Sequence, residues 1–244
     1  MKVFLNVLMG LVVCVFISGH AQAELVGYWS FDDVDGKIIK DSSGSGNDGT
    51  LMGTAKVVKD GKSGSALFLD GKSYVEVPSH ASLENQEFTI SFWMKTEDCT
   101  AKYNGGISKG TIFGSKSSYD YQLAFHKGGA TLTISNYING NWKGATCPIP
   151  DNNWHLWTGV VSPKNVRLYV DTILIPTGNR GRGWGKKYAN ELIMDYGKHY
   201  NFYIGGDRYQ LKGLMDEVRI YNTALTGKEI EQYYASVKSK SALF

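Results

Sequence analysis

Two glycine-rich segments of this sequence combine aromatic and hydrogen-bonding side chains in the way that sugar-binding surfaces do. Sugars bind proteins through aromatic faces beneath their C–H groups and through hydrogen bonds at the ring edges. Residues 137–143 carry Tyr137 and Trp142 beside two asparagines, and residues 180–188 carry Arg182, Trp184 and Tyr188 among further bases. We predict that these five residues contact a glycan; the alternative is that they only cover a sheet edge.

The second of these segments also indicates the charge of a ligand. Four bases surround Trp184, and guanidinium groups pair well with carboxylate or sulfate oxygens. The partner predicted from this segment is an extracellular polysaccharide, anionic if these bases bind it. The whole chain has 26 basic and 23 acidic residues, a balance that favours neither nucleic acid nor a charged membrane surface as partner.

Gln122 and His126 are a further candidate pair, because they lie on one face of the alternating run 119–126. Four residues of strand separate them by about 13 Å, so they can contact successive sugars but cannot act on one atom together. A polysaccharide lyase needs a Tyr or His base with Arg or Gln beside the uronate. Among the carboxylates, Glu191 and Asp195 are four apart but lie in an irregular loop. We therefore predict Gln122 and His126 as ligand contacts and name no catalytic residue.

Residues 41–49 form a loop of short oxygen-bearing side chains and glycines. Ca²⁺ accepts six to eight oxygen ligands at about 2.3–2.6 Å and tolerates irregular geometry, so such a loop is able to curl around one ion. The alternative is a turn without an ion, because Asp and Asn side chains also satisfy their own backbone in loops.

The elements that must position these residues are almost all strands. Phe88, Ile90, Phe92 and Met94 alternate with Thr89, Ser91 and Trp93, which indicates a sheet strand with one core face and one decorated face. The predicted strands are 25–31, 66–69, 74–77, 88–95, 119–126, 131–135, 154–161, 166–171, 201–204 and 215–221. Many short strands between turn signals predict an all-β protein, a two-sheet antiparallel sandwich. Thr226 and Glu229 form a capping box that begins one short C-terminal helix, followed by a frayed tail at 237–244.

The N-terminal segment 1–23 has the pattern of a secretory signal peptide: one lysine, a short apolar run, and Ala21-Gln-Ala23 as a cleavage site. The apolar run is too short for a convincing membrane span. We expect cleavage near Ala23 and a secreted or periplasmic protein. Cys99 and Cys147 remain after cleavage, and in an oxidising compartment they are expected to form a disulfide rather than a metal pair.

Three stretches resemble the bacterial laminin G-like, concanavalin A-like jelly roll family. They are 27–33 with 41–49, 61–71 with 88–93, and 213–222 with Ala224-Leu225 and Glu229-Ile230. They follow the family's order and extend over nearly the whole of residues 24–236, which we take as one laminin G-like domain. One departure is that Thr172 follows Asp171 where the family has Gly, so this hairpin is expected to be built differently.

The resemblance implies a jelly-roll sandwich and one structural calcium ion. Its ligands would be Asp32, Asn47, Asp48 and Asp216. It also implies a lectin-like, carbohydrate-binding function. Two alternatives stay open: a small polysaccharide lyase or glycoside hydrolase, because such enzymes share the sandwich, and a protein-adhesion module. The acidic strand of the laminarinase type, Glu-x-Asp-x-x-Glu, is absent from this sequence.

Overall fold

The computed structural model describes residues 23–96, 104–111, 118–126, 129–134, 146–147, 152–175, 194, 196–206 and 211–241. Within these residues the strands are β1 (Leu25–Trp29), β2 (Val34–Asp35), β3 (Ile38–Ile39), β4 (Gly49–Met52), β5 (Lys56–Val58), β6 (Ala66–Asp70), β7 (Tyr74–Val77), β8 (Phe88–Lys95), β9 (Asn104–Thr111), β10 (Ser118–His126), β11 (Gly129–Ile134), β12 (Thr146–Cys147), β13 (His155–Val161), β14 (Val166–Val170), β15 (Ile173–Ile175), β16 (Phe202–Ile204) and β17 (Lys212–Tyr221). One turn of 3-10 helix covers Ala81–Leu83, and helix α1 covers Gly227–Ser241.

The strands form two antiparallel sheets, as predicted. The eight-stranded sheet has the order β15-β14-β13-β8-β17-β6-β5, and β1 pairs with β17. The nine-stranded sheet has the order β12-β11-β10-β9-β16-β7-β4-β3-β2. One apolar cluster from both sheets, including Trp29, Phe92, Phe125, Trp157 and Phe202, fills the space between them. The architecture is a jelly-roll sandwich with one short C-terminal helix.

The alternation predicted for 88–95 is confirmed in β8. Phe88, Ile90, Phe92 and Met94 belong to the core between the sheets. The opposite face of the strand is also buried, because α1 packs over it: Trp93 forms a second apolar cluster with Ile230 and Val237 of the helix. The eight-stranded sheet is therefore covered on both faces at β8, β13 and β14.

Helix α1 begins where the capping box predicts. The backbone N–H of Glu229 donates to Thr226 Oγ1 at 3.3 Å, and the N–H of Thr226 donates to Glu229 Oε2 at 2.7 Å. The segment 237–244 was predicted as a frayed tail, and the helix extends through its first five residues to Ser241. The physical reason is that Val237 is buried against the sheet, which holds the last turns in place.

The hairpin between β14 and β15 is built without the glycine that the family has. Asp171 itself adopts the left-handed conformation, with φ of 57°. Its carboxylate stabilises the turn by accepting from the N–H of Leu156 at 3.0 Å and by pairing with His155 Nδ1 at 2.9 Å. Aspartate tolerates this conformation better than most residues do, so Thr172 can follow it.

Candidate functional site

The outer face of the nine-stranded sheet carries a continuous row of polar side chains. Val75, Phe202, Ile107 and Leu123 of this sheet point into the core, so their neighbours along each strand point outward. The cross-strand register places the outward residues side by side, one from each of five strands: Thr50, Glu76, Tyr203, Ser108 and Gln122. We call this set the outer row. Four strand spacings separate its ends, a span of about 19 Å.

The half of the outer row over β4, β7 and β16 is partly open to solvent. Glu76 is held there, because Asn201 Nδ2 donates to its Oε1 at 2.8 Å and the Tyr203 hydroxyl donates to the same oxygen at 3.4 Å. No described residue donates to Glu76 Oε2. The Tyr74 and Tyr203 rings meet edge to face with centroids 5.8 Å apart. A fixed carboxylate therefore lies beside two mutually oriented aromatic rings.

The other half of the outer row, over β9 and β10, is less exposed. Ser108 is buried, and its hydroxyl has no hydrogen-bond partner among the described residues. Gln122 is half-buried and lies between Ser108 and the backbone of β11 at Thr133. The predicted ligand contact Gln122 thus lies on the outer row. His126 ends the same strand, where its backbone pairs with Gly129.

The other predicted glycan contacts, Tyr137, Trp142, Arg182, Trp184 and Tyr188, lie outside the described residues and stay predictions. The same applies to the Cys99–Cys147 disulfide, because Cys99 also lies outside them. Sequence reasoning missed Glu76 and Tyr203. Both sit at outward positions of correctly predicted strands, so the alternation could have placed each on a face. The signal that was lacking is the pairing of β7 with β16, whose residues lie more than 120 positions apart.

The four predicted calcium ligands divide between two places. Asp32 and Asp216 both hold the loop 61–65: Asp32 Oδ1 accepts from the N–H of Ser65 at 2.7 Å, and Asp216 Oδ2 accepts from the N–H of Ser63 at 2.8 Å. Gly64, with φ of +75°, lies so close to Asp32 that an added Cβ would come within 2.4 Å of its Oδ1. Two carboxylates and a tightly apposed backbone therefore meet at this loop.

Asn47 and Asp48 lie instead in the loop 41–49, around Asp41. Asp48 accepts from Lys40 Nζ and from the N–H of Asp41, both at 2.9 Å. The Asn47 N–H donates to Asp41 Oδ2, and Asn47 Nδ2 donates to the Val26 carbonyl at 2.7 Å. These bonds are those of the ion-free turn that the sequence left open as an alternative. Asn47 Oδ1 is nevertheless buried, and no described residue donates a hydrogen bond to it.

The electrostatics of Asp216 fit a cation at the loop 61–65. Burial, together with the charges of Glu217 and Asp32, raises the pKa of Asp216 to about 8 against the lowering effect of the N–H groups of Ser63 and Glu217. A bound cation would relieve this cost of keeping two carboxylates close together. Among the described residues, no three His, Cys, Asp or Glu side chains are grouped so as to hold a metal by themselves. Backbone oxygens would have to complete a calcium shell.

A buried ion pair lies on the core side of the nine-stranded sheet. Lys109 of β9 is fully buried, and its Nζ lies 3.2 Å from Glu84 Oε1 and 3.3 Å from Ser79 Oγ, and also donates to the carbonyl of Tyr200. Glu84 Oε2 lies 2.9 Å from His199 Nδ1 at the surface. Burial alone would raise the pKa of Glu84, but hydrogen bonds from His199, Lys109 and Ser79 together lower it. This network fixes the segment that precedes β16, at His199 and Tyr200, against the residues that follow β7.

On the eight-stranded sheet, the outward side chains near α1 contact the helix instead of solvent. Trp93 is stacked on Tyr234 of α1 at a centroid distance of 5.3 Å, and Lys62 Nζ lies 4.7 Å above the Trp93 ring. Arg219 lies between the rings of Tyr28 and Tyr233, 4.1 and 4.5 Å from their centroids. Its guanidinium also donates to Glu217 Oε2. These contacts fasten the helix to the sheet and cover the side chains beneath it.

A laminin G family model, described as the concanavalin A-like lectin/glucanases superfamily, matches residues 69–231. The match covers more than half of the chain, and the chain therefore belongs to this superfamily. The resemblance seen in the sequence is confirmed. No curated protein is significantly similar to this chain.

Several solved structures share the fold. Domain 4 of a GH43 extracellular arabinanase from Geobacillus stearothermophilus, in complex with arabinotriose, is 23% identical with a TM-score of 0.63, covering 86% of this chain and 98% of that one. The receptor binding domain of botulinum neurotoxin C/D mosaic serotype is 14% identical with a TM-score of 0.66, covering 87% and 51%. Trypanosoma rangeli sialidase in complex with sialic acid is 15% identical with a TM-score of 0.63, covering 89% and 33%. The chain thus spans nearly all of the arabinanase domain, about half of the neurotoxin domain and a third of the sialidase.

Among the described residues, no helix has the length and apolar character needed to span a bilayer.

Proposed function

We propose that this protein is a carbohydrate-binding module and that the outer row is part of its ligand-binding surface. The observation that carries the proposal is the half-open outer face of the nine-stranded sheet. There Tyr74 and Tyr203 offer ring surface for sugar C–H groups, while Thr50 and Glu76 offer hydrogen-bonding groups for sugar hydroxyls. On the other sheet, α1 covers the outer face over β8, β13 and β14.

The solved neighbours support this proposal. The arabinanase domain is in complex with arabinotriose, and the sialidase, of which this chain covers a third, is in complex with sialic acid. The arabinanase domain is the more informative of the two, because this chain covers almost its full length. We extend sugar binding from those proteins to this one.

Binding without bond cleavage is the simpler proposal for the outer row. Retaining glycosidases need two carboxyl groups about 5–5.5 Å apart, and inverting ones need them about 6.5–9.5 Å apart. Within the described residues of the outer row, Glu76 supplies one carboxylate and no second one accompanies it. A lyase or hydrolase would therefore need residues from outside this row.

A glycan array tests the proposal. The protein without residues 1–23 is applied to the array, and each retained glycan is then incubated with it overnight and analysed for shortened or unsaturated products. We expect retention without products, and Tyr203→Ala should weaken binding about tenfold, a loss of about 1.4 kcal/mol. Leu174→Ala, on the exposed edge of the other sheet, is the matched control and should bind normally. Products would show that the surface is an active site, and retention of a protein ligand despite competing sugars would favour the adhesion module.

A structural calcium ion at the loop 61–65 is a second part of the proposal. Asp32 and Asp216 would supply its carboxylate ligands, and the ion would tie the segment after β1 to the strand β17. Asp48 is already paired with Lys40, so we assign it no contact with this ion.

Thermal unfolding with calcium and with a chelator tests this assignment. We expect the chelator to lower Tm by several degrees, because a ligand that binds only the folded state stabilises it by mass action. Asp32→Asn should abolish the difference, whereas Asp48→Asn should keep it. An equal Tm with calcium and with chelator would contradict a calcium site. Secretion and the Cys99–Cys147 disulfide are tested alongside, by the mass of the exported protein before and after reduction.

A further inference from the structure

The accessible half of the outer row has two adjacent cross-strand pairs of opposite character. Thr50 faces Glu76, and two residues further along the same strands Met52 faces Tyr74. All four side chains are half-buried, so each presents part of its surface to solvent. The first pair can exchange hydrogen bonds with hydroxyl groups, and the second offers apolar surface to C–H groups. Such an alternation matches a sugar ring, whose faces are apolar and whose edges carry hydroxyls.

Glu76 gives this surface its charge. It is the one ionised side chain among the described members of the outer row, and no described cation neutralises it. Its Oε1 is occupied by Asn201 and Tyr203, which fixes the carboxylate plane. Its Oε2 receives no hydrogen bond from any described residue, so this oxygen is free to accept a proton donor from a ligand.

A carboxylate accepts hydrogen bonds but donates none. Sugar hydroxyls can donate to it, whereas the carboxylate of a uronate or the sulfate of a sulfated glycan presents a second acceptor of the same charge. Two like charges about 4 Å apart lower affinity about fivefold even at the dielectric constant of water, and more at a protein surface. The hydrogen bond to a charged acceptor acts in the opposite direction and favours a hydroxyl-rich ligand.

Resting on the proposed function, we infer that the outer row selects neutral glycans and that Glu76 is the residue that determines this selectivity. The ligand class is a polysaccharide built from uncharged sugars, with a hydroxyl donating to Glu76 Oε2. This differs from the anionic polysaccharide that the bases of residues 180–188 favour in the sequence. The two assignments make opposite predictions for the same pair of ligands.

Calorimetric titration with matched oligosaccharides tests the inference. Neutral arabinan- and glucan-derived oligosaccharides are compared with oligogalacturonate of the same length, at low and at high salt. We expect the wild-type protein to bind a neutral oligosaccharide and to bind the uronate at least fivefold more weakly. Glu76→Gln should weaken neutral binding about tenfold, through loss of the charge-assisted bond. It should also strengthen uronate binding about fivefold at low salt, through loss of repulsion.

Two further variants keep the test decisive. Glu231→Gln removes one negative charge from the exposed surface of α1 and should change neither affinity. Thr50→Lys places an ammonium opposite Glu76 without disturbing the Asn201 contact, so it should shift selectivity toward the uronate even if Glu76→Gln unfolds the protein. Preferential binding of the uronate by the wild type, or neutral binding that ignores Glu76→Gln and Thr50→Lys, would overturn this inference while leaving sugar binding intact. Binding of no glycan at all would overturn the proposed function as well.

Discussion

The two sheets of this sandwich share one alternating pattern, yet their outer faces differ in exposure. On the eight-stranded sheet, the outward residues Thr89, Ser91 and Trp93 are as well buried as the core, because α1 packs across them. On the nine-stranded sheet, the outward residues Thr50, Glu76 and Tyr203 remain half-exposed. Polar and aromatic side chains on the outward face of a strand therefore do not by themselves indicate a binding surface. What decides its role is whether another element of the chain covers it.

The largest expected loss of stability comes from disrupting the contact between α1 and the eight-stranded sheet. Trp93→Ala removes the ring that joins Lys62, the sheet and Tyr234. Truncating a buried tryptophan to alanine lowers the free energy of unfolding by about 3–5 kcal/mol. Tyr203→Ala on the open face should cost about 1 kcal/mol, since its ring is only half-buried. Equilibrium urea denaturation measures both values, and equal costs would mean that the two faces are not covered differently.

A somewhat smaller loss of unfolding free energy is expected from Glu84→Gln. This variant tests the buried ion pair beneath the nine-stranded sheet. The substitution leaves the fully buried ammonium of Lys109 without its counter-charge and should cost about 3 kcal/mol at neutral pH. The Lys109 contacts to Ser79 and to the Tyr200 carbonyl remain, which keeps the cost from being larger.

The same variant predicts a change in pH dependence. Burial acts to raise the pKa of Glu84, yet hydrogen bonds from His199, Lys109 and Ser79 outweigh it and lower the pKa below its ordinary value of 4.5. A carboxyl group with a lowered folded-state pKa stabilises the protein above its ordinary pKa, and this stabilisation is lost as pH falls through the folded-state value. The unfolding free energy of the wild type should therefore fall more steeply below about pH 4.5 than that of Glu84→Gln. Glu231→Gln, an exposed acid on α1, should follow the wild-type curve.

The smallest effect comes from loosening the element that covers the eight-stranded sheet. Thr226→Ala removes the two hydrogen bonds of the capping hydroxyl of α1 and should cost about 1 kcal/mol. Hydrogen exchange should then speed up in the first turn of α1, while β7 and β16 under the open face keep their protection. Faster exchange in β16 would argue that the helix also supports the open face.

The sequence predicted much of this architecture because local patterns determine it. Tyr74–Val77 and Phe88–Lys95 have the predicted bounds, since alternation and flanking turns define such strands. Strand β9 was missed, because Asn104–Thr111 contains three glycines and has low strand propensity. It is a strand because β10 and β16 pair with it on both sides. Tertiary pairing of this kind overrides local propensity.

The candidate site was less predictable for the same reason. The outer row joins residues from five strands. The local sequence around Glu76 carries no information that Tyr203 is its cross-strand neighbour. From its glycine-rich sequence surroundings, Lys109 would be expected at the surface. In the structure its side chain is buried and forms an ion pair with Glu84. Asp32 and Asp216 were placed together by the family resemblance, and the structure does bring both to the loop 61–65. Asn47 and Asp48, taken from the same resemblance, lie in the separate loop around Asp41.

The position of β17 has a consequence for how the protein reaches its structure. This strand lies in the middle of the eight-stranded sheet, between β8 and β6, and it also pairs with β1, whose residues lie nearly 200 positions earlier. The sheet therefore cannot be completed until residues 212–221 have left the ribosome. We expect this sheet to form late and slowly, because the pairings of β17 join residues far apart in the sequence. Until β17 arrives, the facing edges of β6 and β8 stay unpaired and open to association with other chains.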